Sequence, residues 1–285
     1  MDITLENIGH IYNSDTPMAV DALREVSLTI PQGSYTALIG HTGSGKSTLL
    51  QHLNVLLKPS TGRVILGDQV ITAKSKDTQL KKLRRHIGTV FQFPEAQLFE
   101  ETIVKDVAFG PQNYGMDQEE AMNLAREMLH VVGVDEKNFD SSPFELSGGQ
   151  QRRVAIAGVL ALEPEVLILD EPTAGLDSKG QNELMSLFSR LHEERKITII
   201  LATHQMEYVA EYADQVAVLE AGTLVKVGHP REIFSHQTWL KEKQLDVPEV
   251  VEFANQLAGR EGWSSKELPL TIRELSESIA HQLKQ

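Results

Sequence analysis

The segment from Gly40 to Thr48 reads GHTGSGKST, and its residue types and spacing are those of a phosphate-binding loop. It follows the apolar run 35–39 and precedes leucines that share one helical face, so it stands between a strand and a helix. Glycines allow backbone N–H groups to face phosphate oxygens, and the helix N-terminus adds a favourable dipole. We therefore expect phosphate contacts from Gly40, His41, Thr42, Gly43, Ser44, Gly45, Lys46, Ser47 and Thr48.

Four side chains in two separate motifs could carry out chemistry on that ligand. The ammonium of Lys46 is expected to reach the β- and γ-phosphates of a nucleotide, and the hydroxyl of Ser47 is expected to bind Mg²⁺. Asp170 and Glu171 end the apolar run 166–169; Asp170 suits the Mg²⁺ shell, and Glu171 suits a general base acting on water. A strand that merely ends in solvated acids is the alternative, which a phosphate loop in the same chain disfavours.

A pentapeptide LSGGQ, residues 146–150, lies between the phosphate loop and the acidic strand end. Ser147 and the N–H groups of Gly148 and Gly149 stand at the expected start of a helix, where they form a second anion site. The three motifs in this order resemble the nucleotide-binding subunits of ABC transporters. In that family Ser147 and Gly149 of one subunit close over ATP held by the other, so the resemblance implies a working dimer that ATP closes and hydrolysis opens.

The same resemblance assigns roles to two residues that follow other apolar strands. Gln92, at the end of the strand Ile87 to Phe91, is similar to the glutamine that touches Mg²⁺ or the attacking water and senses the membrane partner. His204, at the end of the strand Ile197 to Thr203, is similar to the histidine that contacts the γ-phosphate. Both are therefore expected at the catalytic site.

Three further nucleotide contacts are implied in the same way. Gln150 belongs to the pentapeptide, and Asp177 ends the segment AGLD (174–177), which matches the loop that crosses the dimer interface. Ala174 and Gly175 differ there from the commoner Ser-Ala. Tyr12 is the candidate for stacking on adenine, and a core or surface tyrosine is the alternative because only its position supports the role.

The stretch 91–115, FQFPEAQLFEETIVKDVAFGPQNYG, closely resembles the ATPases of energy-coupling factor (ECF) transporters and their cobalt-uptake relatives. Residues 94–99 would form the extra short helix that these ATPases have after their Gln loop. Together with SPFELSGGQ (142–150) and the tail segment LKEKQLDVP (240–248), the match is closest to the second of the two ATPases, the A-prime subunit. It covers nearly the whole chain.

That family implies specific partners and a location. They are a paralogous ATPase in a heterodimer, a transmembrane T subunit that presents arginines, and exchangeable membrane S subunits that capture vitamins. The chain would then lie at the cytoplasmic face of the cell membrane as a peripheral protein. Charge complementarity suggests that Glu95, Glu100 and Glu101 form an acidic groove for those arginines, with a solvated acidic surface as the alternative.

The elements expected to position these residues give an α/β fold, and the resemblance implies that it is of the ABC nucleotide-binding type. It comprises a P-loop core with a mostly parallel sheet, an antiparallel β subdomain early in the chain, and a helical insert at about 95–162. Buried strands at 166–169 and 197–201 flank a crossover helix at 179–192. We divide the chain into an ATPase domain, 1–229, and a C-terminal helical appendage, 230–285.

Apolar periodicity predicts two helices in that appendage, one on Val247, Val250, Val251, Ala254 and Leu257, the other on Ile272, Leu275, Ile279 and Leu283. Thr271 and Glu274 should form a capping box at the start of the second helix. The appendage brings no glycine loop or acid pair, which favours a packing or dimer-stabilising role.

Composition narrows the class of protein further. With 285 residues and 41% apolar residues the chain should fold around a proper core, and without cysteine it has no disulfide or thiolate metal site. Its net charge of −13 argues against nucleic acid as a partner, and the basic cluster 81–86 is interpreted as a solvated helix face. No apolar run spans a bilayer, and the N-terminus lacks the pattern of a secretory signal, so we expect an intracellular protein.

The sequence thus predicts an Mg²⁺-dependent ATPase that powers micronutrient import. An ATPase of another ABC importer, such as one for cobalt or nickel, is the first alternative, because the ATPase core says little about cargo. A soluble ABC ATPase of DNA repair or translation is the alternative from another class. Those relatives usually carry a long coiled coil or two cassettes in one chain, and this sequence has neither.

Overall fold

The computed structural model describes residues 1–14, 16–258 and 267–282, and these residues build two β-sheets with helices packed around them. The four-stranded sheet is antiparallel with the order β2-β1-β4-β5, and the six-stranded sheet has the order β10-β9-β3-β8-β7-β6. Their strands are β1 (Ile3–Tyr12), β2 (Val20–Ile30), β3 (Tyr35–Ile39), β4 (Thr61–Leu66), β5 (Gln69–Ile71), β6 (Ile87–Val90), β7 (Val166–Asp170), β8 (Thr198–Ala202), β9 (Gln215–Glu220) and β10 (Thr223–Gly228).

Helices connect successive parallel strands along the chain. They are α1 (Lys46–Leu53), α2 (Asp77–Arg84), α3 (Ile103–Asn113), α4 (Gln118–Val131), α5 (Gly148–Leu160), α6 (Ser178–Arg195), α7 (Met206–Tyr212), α8 (Pro230–Ser235), α9 (Gln237–Glu242), α10 (Glu249–Ala258) and α11 (Ile272–Gln282). Short 3₁₀ helices occupy Pro94–Gln97, Glu136–Asn138 and Pro143–Glu145. The first of these is the short helix predicted within 94–99.

Strands β6, β7, β8, β3 and β9 run parallel, and β10 adds an antiparallel edge. Their central residues are apolar because both faces of the sheet are covered. On one face Leu167 and Leu169 pack with helices α3 to α6, while on the other Val166 and Ile168 pack with α1 and the antiparallel sheet. This confirms the predicted α/β fold. Two predicted strands are shorter than expected, since β6 ends at Val90 and β8 spans Thr198–Ala202.

The C-terminal helices lie against the parallel sheet. Ile233 and Phe234 of α8 and Leu240 of α9 are buried in one cluster with Ala37 of β3 and Val216 of β9. The proposed division at 229/230 coincides with the start of α8, but the apolar side chains beyond it pack on the strands before it. The boundary therefore stays a prediction.

The second helix of this region begins as expected, although its cap differs from a full capping box. The N–H of Glu274 donates to the Thr271 hydroxyl at 3.2 Å, but the Glu274 carboxylate accepts from the N–H of Leu270, not from that of Thr271. Leu270 is buried in the cluster with α8, which fixes its N–H within reach of that carboxylate. Leu283, assigned to this helix from the sequence, lies outside the described residues.

None of the helices in the described part of the chain has the length and apolar character needed to cross a bilayer.

Candidate active site

The phosphate loop connects β3 to α1, and its glycines are required by the backbone path. Gly43 and Gly45 have φ of 81° and 105°, which L side chains rarely adopt. A Cβ on Gly40 would stand 2.4 Å from the carbonyl oxygen of Leu219 and 2.5 Å from Oγ of Ser44. That Ser44 hydroxyl is itself buried and makes no hydrogen bond. The chain thus builds a tight cradle with a polar group left to pair, which fits phosphate.

Lys46 lies folded across this cradle at the first residue of α1. Its Nζ donates to the carbonyl oxygens of Gly40 and His41, the latter at 3.2 Å. Partial burial lowers the pKa of the Lys46 ammonium, while the Glu171 and Asp170 carboxylates oppose that shift. The ammonium is therefore held at the loop by uncharged carbonyl oxygens. An anionic phosphate would be a stronger partner and could replace them.

The two predicted carboxylates lie at the end of β7, next to this loop. Because β3, β8 and β7 are neighbouring parallel strands, the segments that follow them meet at the carboxyl edge of the sheet. Burial raises the pKa of the Asp170 and Glu171 carboxyls, and Lys46 opposes the shift in both. Glu171 has φ of 48°, a conformation uncommon for a residue with a side chain and typical of functional sites.

The Glu171 carboxylate faces the segment that follows β8. Its Oε2 accepts from the Thr203 hydroxyl at 3.5 Å, and Nε2 of His204 stands 3.5 Å from its Oε1. Oε1 is buried and makes no hydrogen bond. Burial lowers the pKa of His204, and the Lys46 charge adds to this. A half-buried carboxylate with a raised pKa and a free oxygen has the properties of a general base.

Gln92 follows β6, the strand that pairs with β7, so it reaches the same edge of the sheet. Its side chain is exposed, and Ser47 in the phosphate loop is exposed as well. The Ser47 hydroxyl, the Gln92 amide oxygen and the Asp170 carboxylate are hard oxygen donors. This is the donor chemistry that Mg²⁺ prefers, so these residues fit the ion.

Tyr12 ends β1 and lies beside the helix that follows the phosphate loop. Its hydroxyl lies 3.3 Å from that of Thr48 and donates to the Gln51 side chain at 3.2 Å. Both partners belong to α1, so the tyrosine is fixed next to the phosphate cradle. This placement agrees with the predicted adenine contact, which stays a prediction.

The signature segment Ser147–Gln150 occupies the N-terminus of α5, where the sequence placed a helix start. Its residues are exposed, and the Ser147 N–H and hydroxyl both donate to the Gln150 side chain, at 3.3 and 3.1 Å. A Cβ built on Gly148 or Gly149 would meet no atom of the described chain within 4 Å. Unlike the candidate catalytic residues at the sheet edge, this segment therefore presents an open face.

Asp177 lies at the start of α6 and already has a structural role. Its carboxylate caps the helix by accepting from the N–H of Gly180 at 2.8 Å. The residue is exposed, so its carboxylate can still face a neighbouring subunit. Its proposed part in nucleotide contact stays a prediction.

Sequence analysis missed the role of Arg152, two residues after the signature segment. Its guanidinium is buried and forms a bidentate ion pair with Glu95, with N–O distances of 2.8 and 2.9 Å. It also donates to the carbonyl oxygens of Gln92, Pro172 and Ala174. One side chain thus joins the Gln92 segment to the loop after Glu171. Arg152, Ile156 and Leu160 share a buried helical face. A charged residue on an otherwise apolar helical face was the sequence signal that could have predicted its buried ion pair.

The Arg152 ion pair corrects the predicted acidic groove. Burial pushes the pKa of Glu95 upward, but hydrogen bonds from Arg152, a backbone hydrogen bond and the Arg152 charge together leave the pKa below its ordinary value. The Glu95 carboxylate is therefore already paired within its own chain. Glu101 pairs with Lys105 at 3.0 Å on an exposed surface. Only Glu100 and Glu101 remain as candidates for external cations.

Comparisons with known proteins agree with this geometry. A family model described as ABC transporter matches residues 23–174. The energy-coupling factor transporter ATP-binding protein EcfA2 of Enterococcus faecalis is 56% identical over 285 residues, covering 100% of this chain and 98% of its own. The EcfA2 protein of Streptococcus pneumoniae is 57% identical over 279 residues, covering 98% of this chain and 99% of its own.

Two solved structures share the fold. The cbiO1 protein of Clostridium perfringens, part of the ABC transporter complex cbiONQ, is 39% identical with a TM-score of 0.73, covering 84% of this chain and 93% of its own. The ATP-binding cassette MJ0796, in a dimeric post-hydrolysis state with ADP and Pi, is 33% identical with a TM-score of 0.71, covering 80% of this chain and 99% of its own.

Fold and family together define an ABC-type ATP-binding cassette, with the candidate catalytic residues at the carboxyl edge of the parallel sheet. The full-length similarity narrows this class. The chain belongs to the energy-coupling factor transporter ATP-binding proteins, as the resemblance of residues 91–115 indicated.

Proposed function

We propose that this chain is the ATP-hydrolysing subunit of an ECF-type importer and energises the uptake of vitamins or other micronutrients. The observation that carries the proposal is 56% identity to an EcfA2 protein over the full chain. The site adds a physical reason, because Lys46, Asp170, Glu171 and His204 occupy one edge of the sheet in the arrangement that phosphoryl transfer needs.

Hydrolysis uses the free carboxylate oxygen of Glu171 as the base. Glu171 takes a proton from a water molecule whose oxygen attacks the γ-phosphorus. The bond from that phosphorus to the β–γ bridging oxygen then breaks, which releases ADP and phosphate. Lys46 stabilises the charge on the phosphate oxygens, and His204 beside Glu171 contacts the γ-phosphate.

The divalent ion would be held by Ser47, Asp170 and Gln92. Mg²⁺ supplies charge neutralisation at the β- and γ-phosphate oxygens when it is bound. The contribution of the chain is to fix the three oxygen donors on separate elements, the phosphate loop, β7 and the segment after β6. Loss of any donor should therefore weaken Mg²⁺ binding, and raise the Mg²⁺ concentration that hydrolysis needs, without removing the phosphate cradle.

A paralogous ATPase subunit completes the site. The open face of Ser147 and Gly149 supports closure over a nucleotide held by the partner, because these glycines are free to approach a phosphate closely. ATP then favours the closed pair, and its hydrolysis releases it.

The membrane partners are a T subunit and exchangeable S subunits, with the chain peripheral at the cytoplasmic face. Arg152 supports transmission from such a partner to the site, since it links Glu95 and Gln92 to the loop after Glu171.

Affinity isolation of the chain from its own cell's membranes, in mild detergent with mass spectrometry, tests this proposal. Recovery of a second ATPase, one T-type membrane protein and several small membrane proteins is expected. Recovery of a conventional permease with a solute-binding protein, or of no membrane protein, would contradict the choice of transporter.

Cobalt or nickel import is the second candidate, and the 39% identity to the cbiO1 protein supports it. The 56% identity to EcfA2 favours the ECF assignment over it. The same isolation separates the two, because a cobalt importer would bring down one dedicated membrane set in place of several alternative small membrane proteins.

A further inference from the structure

One buried histidine contacts Tyr12 and a second contacts the first, and the proposed hydrolysis uses neither. His10 precedes Tyr12 by two residues on β1 and is 8% exposed, while His52 lies in the last turn of α1 and is 0% exposed. The His10 ring contacts Tyr12 edge-to-face with centroids 4.5 Å apart, and it contacts His52 in the same way at 4.8 Å. His10 is thus enclosed between the other two rings.

The four residues around this cluster form a closed circuit through the helix of the phosphate loop. Nδ1 of His52 donates to the carbonyl oxygen of Thr48 at 2.7 Å, one turn earlier in α1. The Thr48 hydroxyl lies 3.3 Å from that of Tyr12. From Tyr12 the contacts return through His10 to His52, so movement of any one ring disturbs the others.

Both imidazoles are uncharged near neutral pH. Burial lowers the pKa of His52 to about 4, and burial also lowers that of His10. Neutral rings pack against one another and against a tyrosine without the repulsion that two charged imidazoles would introduce. The pair therefore acts as an aromatic support.

We propose that His10 and His52 are positioning residues that fix the Tyr12 ring relative to the phosphate loop and thereby set the affinity for the adenine base. This rests on the proposed function, in which Tyr12 stacks on adenine. Both histidines are buried, so the pair acts through the tyrosine and not on the nucleotide itself.

The test compares ATP with inorganic tripolyphosphate, which lacks the base, by calorimetric titration of the full chain with Mg²⁺. His10→Ala and Tyr12→Ala should each weaken ATP binding by about 3- to 10-fold, the worth of one or two aromatic contacts, and leave tripolyphosphate binding unchanged. The double variant should lose no more than the larger single loss, because both act through one ring.

Conservative and control variants keep the result interpretable. His10→Phe retains a ring between Tyr12 and His52 and should keep ATP affinity within about twofold of the natural chain. His52→Gln should weaken ATP binding in the same direction as His10→Ala. The exposed His236→Ala serves as the control and should change neither ligand. Melting temperatures identify any variant that fails to fold.

Three results would overturn the proposal, and they distinguish the positioning role of the histidines from the adenine contact on which it rests. Unchanged ATP affinity in Tyr12→Ala would remove the adenine contact and the histidine role together. A loss in Tyr12→Ala with none in His10→Ala would remove only the positioning role. Equal losses for ATP and tripolyphosphate in His10→Ala would show that the ring supports α1 and not the base contact.

Discussion

The glycines of the phosphate loop and the glycines of the signature segment have opposite surroundings. A Cβ on Gly40 would collide with Leu219 and Ser44 of its own chain, and one on Gly45 would stand 2.9 Å from the carbonyl oxygen of Ala22. A Cβ on Gly148 or Gly149 would meet nothing within 4 Å in the described chain. One region needs glycine for its own folding, whereas the other has glycine where its own fold does not require it.

Under the proposed function, this difference indicates which part of the ATP site the chain completes by itself and which part it offers to a second subunit. The phosphate loop is a finished cradle, with Lys46, Asp170 and Glu171 already assembled around it. The signature segment has helical backbone and exposed donors but no ligand-facing wall. In the proposed function, glycine is useful there because a second subunit's nucleotide could approach the backbone closely. If the proposed pairing of two ATPase subunits is correct, the chain contributes one complete half and one open half to a shared site.

The largest expected effect comes from the base on the finished half. Glu171→Gln should bind ATP with unchanged affinity and lower kcat by about 10²- to 10⁴-fold, because the amide cannot accept the proton of the attacking water. Steady-state phosphate release by the purified transporter measures this. Glu165→Gln, immediately before the other end of β7, is the matched control and should keep full turnover. Turnover of Glu171→Gln within tenfold of the natural chain would contradict the assignment.

The next effect concerns Arg152, which follows the signature segment on α5 and binds the Gln92 segment and the loop after Glu171. Arg152→Met should lower the free energy of unfolding by about 3–5 kcal/mol, because it leaves Glu95 without its buried partner and three carbonyls without a donor. Urea denaturation followed by circular dichroism checks the value.

The neighbouring Arg153→Met provides the comparison for that measurement. Its ion pair with Glu183 is more exposed, so the loss should be about 1 kcal/mol or less. Equal losses for the two arginines would refute the special position of Arg152.

A smaller effect tests the glycine comparison itself. Gly149→Ala should raise the melting temperature of the isolated chain by about 1–3 °C, since alanine stabilises a helix by about 0.5–1 kcal/mol over glycine. Its ATP affinity as an isolated chain should not change, but the turnover of the assembled transporter should fall by about tenfold or more as the methyl group obstructs the partner's nucleotide.

Gly40→Ala should behave in the opposite way. Its methyl group collides within the chain, so both stability and ATP affinity of the isolated chain should fall. If Gly149→Ala weakened ATP binding in the isolated chain, the two halves would not be separate, and the comparison would fail.

The smallest effect is a shift in pH dependence. Burial raises the pKa of Glu171 above its ordinary value of 4.5, and the base works only when ionised, so kcat should fall on the acid side at a pH above that value. The Thr203 hydroxyl donates to this carboxylate and lowers its pKa. Thr203→Val should therefore move the acid limb to higher pH, as read from kcat profiles. A shift towards lower pH would contradict this role.

Local patterns in the sequence predict most of the fold and much of the candidate site. The phosphate loop, the strand ending in Asp170 and the signature helix are each specified by residues adjacent in sequence. What could not be predicted depends on distant pairs. Arg152 binds Glu95 across 57 residues, and His10 contacts His52 from a different element. The Glu95 prediction failed for this reason, since its charge was visible in the sequence but its internal partner was not.

The central claim is that the signature segment is completed by a nucleotide bound to a second subunit. Cysteine labelling at this segment tests that claim most directly. The chain has no cysteine, so Ser147→Cys introduces one reactive thiol, and Glu171→Gln in the same chain and in its partner ATPase holds ATP in place. The account predicts that ATP protects this thiol from a maleimide in the assembled transporter but not in the isolated chain, while the exposed Ser235→Cys is labelled equally in all states. Protection by ATP in the isolated chain, or no protection in the transporter, would contradict it.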